Sequence, residues 1–461
     1  MYNMYRLVCR RSSTFGFGDV PASRRLPLLG DALPLLLAGG PAALHRYMDA
    51  RHRRLGPIFR HAVGPVEAVF IADPDQMRLV FAKEGKHPQH IKPESWLVYN
   101  EKHNYTRGLF FMDGEEWLHH RKTMNTILLK GDLSWLERSC DESTTAFTDR
   151  IRLQADREFP DIESELYKWS LDVILSILVG AGSYTRCSRS VNESIKRLSS
   201  IVHTIFETTC KLQLIPAKLA MKYNIKRWRN FEESVTESLR LANELLEAIR
   251  EYQTDDGLLH KMNQANIDRA NSIRIIVDLI LSAGDTTAYT MAWLLYSIAK
   301  HRNVQNELRE SLELDPQTPY LRNCLRETLR LHPVAPFLTR ILPEELILCG
   351  YRIPAGTLLV MSIYTSGRDP EYFPEPLEFD PKRWCRSTAG GRSSSRLASL
   401  PFGIGARSCI GRRIAETQLQ MTLAKIVRNF DVSILNADRI EDVLMMVSKP
   451  SVPPRLVFNK L

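Results

Sequence analysis

The residues best equipped for chemistry lie in one stretch, LPFGIGARSCIGRR, residues 400–413. After Cys409 an apolar period of Ile410, Ile414, Leu419, Leu423, Ile426, Val427 and Phe430 predicts a helix over about 410–428. A cysteine at a helix N-terminus meets unpaired N–H groups and the positive end of the helix dipole. Both favour thiolate over thiol. No other cysteine lies within 20 residues of Cys409, which makes a four-ligand zinc site a poor reading. A lone thiolate suits a single axial bond to haem iron, where it donates electron density and favours O–O cleavage. Gly405 and Gly411 permit close approach of a flat partner, Phe402 can pack on it, and Arg407 suits a carboxylate on it.

Three further groups have a bland and a chemical reading. Glu327 and Arg330 in RETLRLHPVAPFLTR, residues 326–340, sit three apart. By spacing alone they are a helix-surface ion pair worth about 0.2–0.5 kcal/mol. Trp117 and Arg121 in DGEEWLHHRK share a helix face, as a core Trp beside a snorkelling Arg would. The segment 273–298 places Ile273, Ile276, Val277, Ile280, Leu281, Gly284, Ala288, Met291, Leu295 and Ile298 on one face of a long core helix. Gly284-Asp285-Thr286-Thr287 interrupts its centre with poor helix formers and a costly buried acid, a local weakness that marks a functional site.

The spacing F-x-x-G-x-R-x-C-x-G, present as FGIGARSCIG, resembles the signature of the cytochrome P450 family. The resemblance runs in family order from about residue 20 to the end. It implies haem b with Cys409 as axial ligand and dioxygen as co-substrate. It also implies Trp117, Arg121, Arg340 and Arg407 at the haem propionates, with Phe402 and Gly411 against the ring. Glu327 and Arg330 would join Arg383 of FDPKRWC in a structural triad, with Lys382 where the family usually has Glu. Asp285 and Thr286 would relay protons to bound dioxygen. Ser282 and Ala283 stand where the family has Ala or Gly and then Gly, so Gly284 falls at a variable position.

These residues need a scaffold. Residues 57–73 read as two strands around a Gly64-Pro65 turn, and 113–331 is mostly helical in pattern. Residues 338–363 return to strand-like runs, and 386–399 is a Ser/Gly/Arg-rich exposed loop. The implied fold is mainly α with a smaller β-rich part, as one P450 domain over 26–461. Haem would lie between a long central helix and the helix after the cysteine. The 44% apolar and 25% charged composition is ordinary for a globular chain. Eight scattered cysteines suggest free thiols in a reducing compartment. No zinc-finger or RNP-type pattern accompanies the net charge of +9, which leaves nucleic acid the least favoured partner.

The first 25 residues hold five Arg and one Asp. Arg-rich, Ser-containing and amphipathic, they read as a mitochondrial presequence, against a frayed basic terminus as the alternative. The stretch CIGRRIAE resembles mitochondrial P450s, which implies electrons from an adrenodoxin-type [2Fe–2S] ferredoxin. Arg322, Arg326, Arg412 and Arg413 would form its docking face. Residues 213–228 mix apolar and basic side chains and could dip into the matrix face of the inner membrane, or form a partly buried loop and helix. RGLFFMDGEEWLHHR, SAGDTTA, LHPVAPF and SLPFGIGARSCIGRR resemble insect ecdysteroid 2-hydroxylases, which implies conversion of 2-deoxyecdysone to ecdysone. The rival readings are a mitochondrial hydroxylase of another sterol or xenobiotic, a haem-thiolate isomerase needing no dioxygen, and a non-enzymatic haem sensor.

Overall fold

The computed structural model describes residues 14–22, 32–63, 66–213, 215–385 and 398–461. Long helices dominate it: α1 (Gly114–Leu129), α2 (Ser134–Leu153), α3 (Ile162–Val179), α4 (Tyr184–Leu212), α5 (Lys226–Ile249), α6 (Arg269–Lys300), α7 (Pro319–Leu331) and α8 (Arg412–Asn429). Helix α6 starts where the Asp268 side chain accepts from the Asn271 N–H at 3.0 Å. It runs unbroken through the Gly-Asp-Thr-Thr segment. Of the ten residues expected on its apolar face, nine are buried and Ile273 is partly exposed, and the helix packs against α3, α7 and α8.

The smaller part is a four-stranded sheet of β1 (Ile58–Val63), β2 (Val66–Ile71), β3 (Phe337–Ile341) and β5 (Leu358–Ser362) in the order β1-β2-β5-β3. Antiparallel β1 and β2 set Phe59 opposite Phe70, β2 runs parallel to β5, and Arg340 of β3 faces Leu359 of β5. A short strand, β4 (Tyr351–Ile353), and a later one, β6 (Val447–Pro450), complete what the site requires. The helices share one large core and the sheet has its own. The strand pair expected over 57–73 is present, while its Gly64-Pro65 turn lies outside the described residues, as do residues 386–397 of the expected loop.

Residues 1–13 and 23–25 of the basic start are likewise outside the described residues. Those between belong to the folded body. The Phe15 N–H donates to the Gly350 carbonyl and the Phe15 carbonyl accepts from the Arg352 N–H, both at 2.9 Å. Val20 is buried in the core of the sheet.

Candidate active site

The loop before α8 is folded tightly on itself. The Cys409 N–H donates to the Phe402 carbonyl at 2.8 Å and the Ser408 N–H to the Gly405 carbonyl at 3.2 Å. Gly405 has φ +80°, and a Cβ there would come within 2.2 Å of Glu84 Oε1, so glycine is needed on both counts. Gly411 has an ordinary φ of −82° and is the N-cap of α8. The helix therefore begins two residues later than its apolar period suggests, and Cys409 lies in the turn that leads into it. A Cβ on Gly411 would stand 4.0 Å from Cys409 Sγ.

Cys409 is the described cysteine classed as exposed; Cys140, Cys187, Cys210, Cys324 and Cys349 are buried and Cys385 intermediate. The residue is exposed, yet protein packs closely around its thiol. Desolvation by that packing lifts the thiol above its ordinary pKa, and the Gly411 N–H, Arg121 and Arg412 pull it back.

A cationic wall surrounds the loop. Trp117 and Arg121, one turn apart on α1, are both buried. Arg121 Nη2 donates to the Ser408 carbonyl, tying α1 to the cysteine loop, while its buried Nε has no partner. Arg407 lies 4.0 Å from the centre of the Trp117 ring. Its guanidinium donates to the carbonyls of Pro88, Leu109 and Met112 and to Asp113 at 2.8–3.1 Å. Burial lowers its pKa to about 10. Arg340 Nε donates to Glu84 Oε2 at 2.5 Å, and Glu84 Oε1 accepts from the Ala406 N–H at 2.6 Å. Lys92 pairs with Asp113.

Two acids, Glu84 and Asp113, thus face four cations: Arg121, Arg340, Arg407 and Lys92. Two positive charges remain, the number that the two propionates of haem b neutralise. Beside them stands His90, with both ring nitrogens buried and unpaired. Burial first, then Arg407, Lys92 and Arg340, holds its pKa down to about 3. The orphaned Arg121 Nε and His90 nitrogens, the residual charge and the exposed cysteine fit a haem group. His90 and Glu84 escaped the sequence reading, since neither lies in a motif and only tertiary packing brings them here.

The Glu327–Arg330 pair is no surface ion pair: both side chains are fully buried. Glu327 Oε1 accepts from Arg330 Nη2 at 2.7 Å, Arg383 Nε at 2.8 Å and the Asp380 N–H at 3.0 Å. Oε2 accepts from Arg330 Nε and Trp384 Nε1, both at 2.9 Å. Arg330 also donates to the carbonyls of Gly367, Pro376 and Glu378. Every arm is bonded, and the triad clamps α7 to the segment 367–384.

Helix α6 has one open strip in its buried length. Leu279, Ser282, Ala283 and Thr286, three or four apart, keep partial or full exposure. Thr286 Oγ1 donates to the Ser282 carbonyl at 2.8 Å. Asp285, one residue earlier, points off that strip and is buried, and burial raises its pKa to about 7. The unusual Ser-Ala-Gly order has a packing cause. A Cβ on Gly284 would come within 2.6 Å of the Tyr167 ring of α3, and Ser170 Oγ donates to the Ala283 carbonyl at 2.9 Å.

Arg322 and Arg326 on α7 and Arg412 and Arg413 on α8 are exposed, on helices that pack together. Arg412 pairs with Glu416 at 3.1 Å.

A fold of this architecture, with a cysteine loop, a cationic wall and an acid–alcohol helix, defines a class. Residues 20–458 match the family Cytochrome P450, and the chain belongs to it. Its members are haem-thiolate monooxygenases that use haem b and dioxygen. Among particular proteins, the chain is 37% identical to cytochrome P450 315a1, mitochondrial, of Drosophila melanogaster, over 95% of this chain and 88% of that one. It is 28% identical to the mitochondrial 1,25-dihydroxyvitamin D(3) 24-hydroxylase of Rattus norvegicus, over 96% and 89%. A solved structure, retinoic acid bound cyanobacterial CYP120A1, superposes with a TM-score of 0.77 at 19% identity, covering 96% of this chain and 99% of that one.

Proposed function

We propose that this chain is a mitochondrial, ferredoxin-fed steroid hydroxylase that converts 2-deoxyecdysone, or a close 2-deoxy relative, to the C2 alcohol. The observation that carries the monooxygenase reading is the exposed Cys409 beside a wall with two uncompensated positive charges. The substrate reading rests on the segment-level resemblance to insect ecdysteroid 2-hydroxylases and on the insect relative at 37% identity.

Cys409 would hold haem iron, with Trp117, Arg121, Arg340, Arg407 and His90 at the propionate edge and Phe402 and Gly411 beside the thiolate. Bound there, haem supplies dioxygen activation and C–H hydroxylation. The protein residues orient and exclude. Buried Arg121 fixes the cysteine loop to α1 through Ser408. Thr286 holds a hydroxyl on the open strip of α6, and Asp285 keeps a proton available near neutral pH. The Thr286 hydroxyl on the open strip, with the buried acid Asp285 next to it in the chain, favours oxygen chemistry over an isomerase or a sensor.

Arg322, Arg326, Arg412 and Arg413 offer an acidic ferredoxin a basic face. The exposed Leu219 and Tyr223 flank Lys222, a composition suited to shallow contact with the inner membrane; Leu214 of that stretch lies outside the described residues. No described helix is long and apolar enough to cross a membrane. Import would be directed by the basic start, and the docking of Phe15 and Val20 on the folded body supports a removed segment that ends before Phe15.

Reconstituted turnover tests all of this. Purified protein receives an adrenodoxin-type ferredoxin, its reductase, NADPH and a panel of 2-deoxyecdysteroids and other sterols. The expected product carries one added oxygen at C2 and depends on the ferredoxin. Turnover of a different sterol would favour the second reading, which the vitamin D relative supports, and no oxygenation of any sterol would overturn the hydroxylase.

A further inference from the structure

On the side of α6 away from its open strip lies a cavity of about 400 Å³, bounded by α3, α4 and the chain around β6. That is room for several water molecules. Its lining is mixed, more apolar than polar, with a cluster of polar groups set into it. Tyr289, one turn after Asp285 on α6, donates its hydroxyl to Glu163 Oε1 at 2.8 Å and lies 3.3 Å from His203 Nδ1. Lys449 Nζ of β6 donates to the same Glu163 oxygen at 3.3 Å and stands 3.4 Å from His203 Nε2. The outer wall carries the exposed Lys196 and Ser200.

The inner wall is Asp285, with Oδ1 buried and unpaired, and above it the equally unpaired hydroxyl of Tyr167. A buried carboxyl oxygen and a buried phenol without partners are costly, and water entering the cavity would satisfy both. Gly284 is what admits the Tyr167 ring to this position. Asp285 therefore has the cavity on one side and Thr286, its chain neighbour on the open strip, on the other.

We propose that this cavity is the proton inlet of the enzyme, with Glu163 and His203 as its outer station, Tyr289 as the link and Tyr167 as the group that positions water on Asp285. The inference rests on the reading that Asp285 and Thr286 pass protons toward the oxygen site. Each proton that leaves the Asp285 carboxyl is replaced by one from cavity water, itself restored from solvent past Glu163 and His203. No electron moves in these steps. The charged and titratable groups facing Asp285 are Glu163 and Tyr167 of α3, Asp161 before it, Lys196 and His203 of α4, Lys449 of β6 and Tyr289 of α6 itself. Burial raises Asp285, Lys449 lowers it and Glu163 raises it. Burial first, then Lys449, lowers His203, against the pull of Glu163 and Glu207.

The test is the rate at which the protonated Asp285 carboxyl exchanges with D₂O in the haem-loaded protein at pH 6. It is read from the infrared shift of the carboxyl stretch that Asp285→Asn abolishes, and it needs no substrate. Tyr289→Phe removes the link, Glu163→Gln the outer acid, and Ser200→Trp blocks the mouth while leaving every ionisable group in place. The carbon monoxide difference spectrum confirms that each variant is folded. Exchange slowed about tenfold or more in Tyr289→Phe and Ser200→Trp, with more hydrogen peroxide released per NADPH, is the expected result. Exchange at the wild-type rate in all three overturns the inlet. If Asp285→Asn leaves product per NADPH unchanged, the acid–alcohol reading beneath it fails instead. If that variant loses product while the three exchange normally, the inlet alone fails.

Discussion

The clasp around Glu327 and the wall around Cys409 are both buried, both rich in arginine and both anchored by a single glutamate. In the clasp each carboxylate oxygen and each guanidinium nitrogen has a protein partner, down to the indole N–H of Trp384. At the wall, Arg121 Nε and both nitrogens of His90 have none, and positive charge exceeds negative. A buried network left incomplete costs free energy, so its persistence marks a place where another molecule completes it. A complete one marks a place where the fold itself is the product.

The largest effect that sharpens this contrast is Cys409→Ser. Haem-thiolate absorption in the carbon monoxide difference spectrum should vanish entirely while far-ultraviolet circular dichroism stays helical; a surviving thiolate band would move the ligand elsewhere. Next is the clasp. Glu327→Ala strands the buried Arg330 charge and should cost up to about 5 kcal/mol in urea unfolding, with collapse of soluble yield. An unchanged midpoint would make the clasp no more structural than the wall.

Asp285 belongs with the wall, as a group kept at the expense of stability. Unfolded, its carboxyl loses its proton near the ordinary value of about 4; folded, it holds that proton up to about 7. Unfolding therefore releases a proton between those values, and this residue's contribution falls as pH rises through that window. Asp285→Asn should raise stability by roughly 4 kcal/mol at pH 8 and by under about 0.5 kcal/mol at pH 4. Thermal melts of both proteins at the two pH values check the sign. The smallest effect should come from Arg121→Leu, which removes an incomplete partner. Haem transfer to apomyoglobin should quicken about tenfold with the melting temperature of the haem-free chain little changed, whereas a drop of the clasp's size would break the contrast.

Much of this could be read from the sequence where one short segment carries its own cause. The apolar period after Cys409 places α8 to within two residues, and the four-residue step from Trp117 to Arg121 puts both on one buried face. Spacing was a poor guide to Glu327 and Arg330, because a three-residue step looks the same on a surface and in a core. His90, Glu84 and the Tyr167–Gly284 contact were out of reach, since each meets its neighbours only after distant segments converge. In sequence Gly284 only falls at a variable position of the family pattern. In the fold it is room for a ring from α3.

The pairing of Phe15 with the strand at Tyr351 has a consequence for how the chain reaches this state. It closes a loop around most of the polypeptide, with a closure entropy that only late, long-range contacts can offset. During synthesis or passage through a membrane pore, the start of the chain emerges long before residue 351 does. The bridge from Phe15 to β4 thus cannot form until residue 351 has emerged. Deleting residues 14–22 should leave the rate of helix formation alone and open a fast exchange path for the β4 amides.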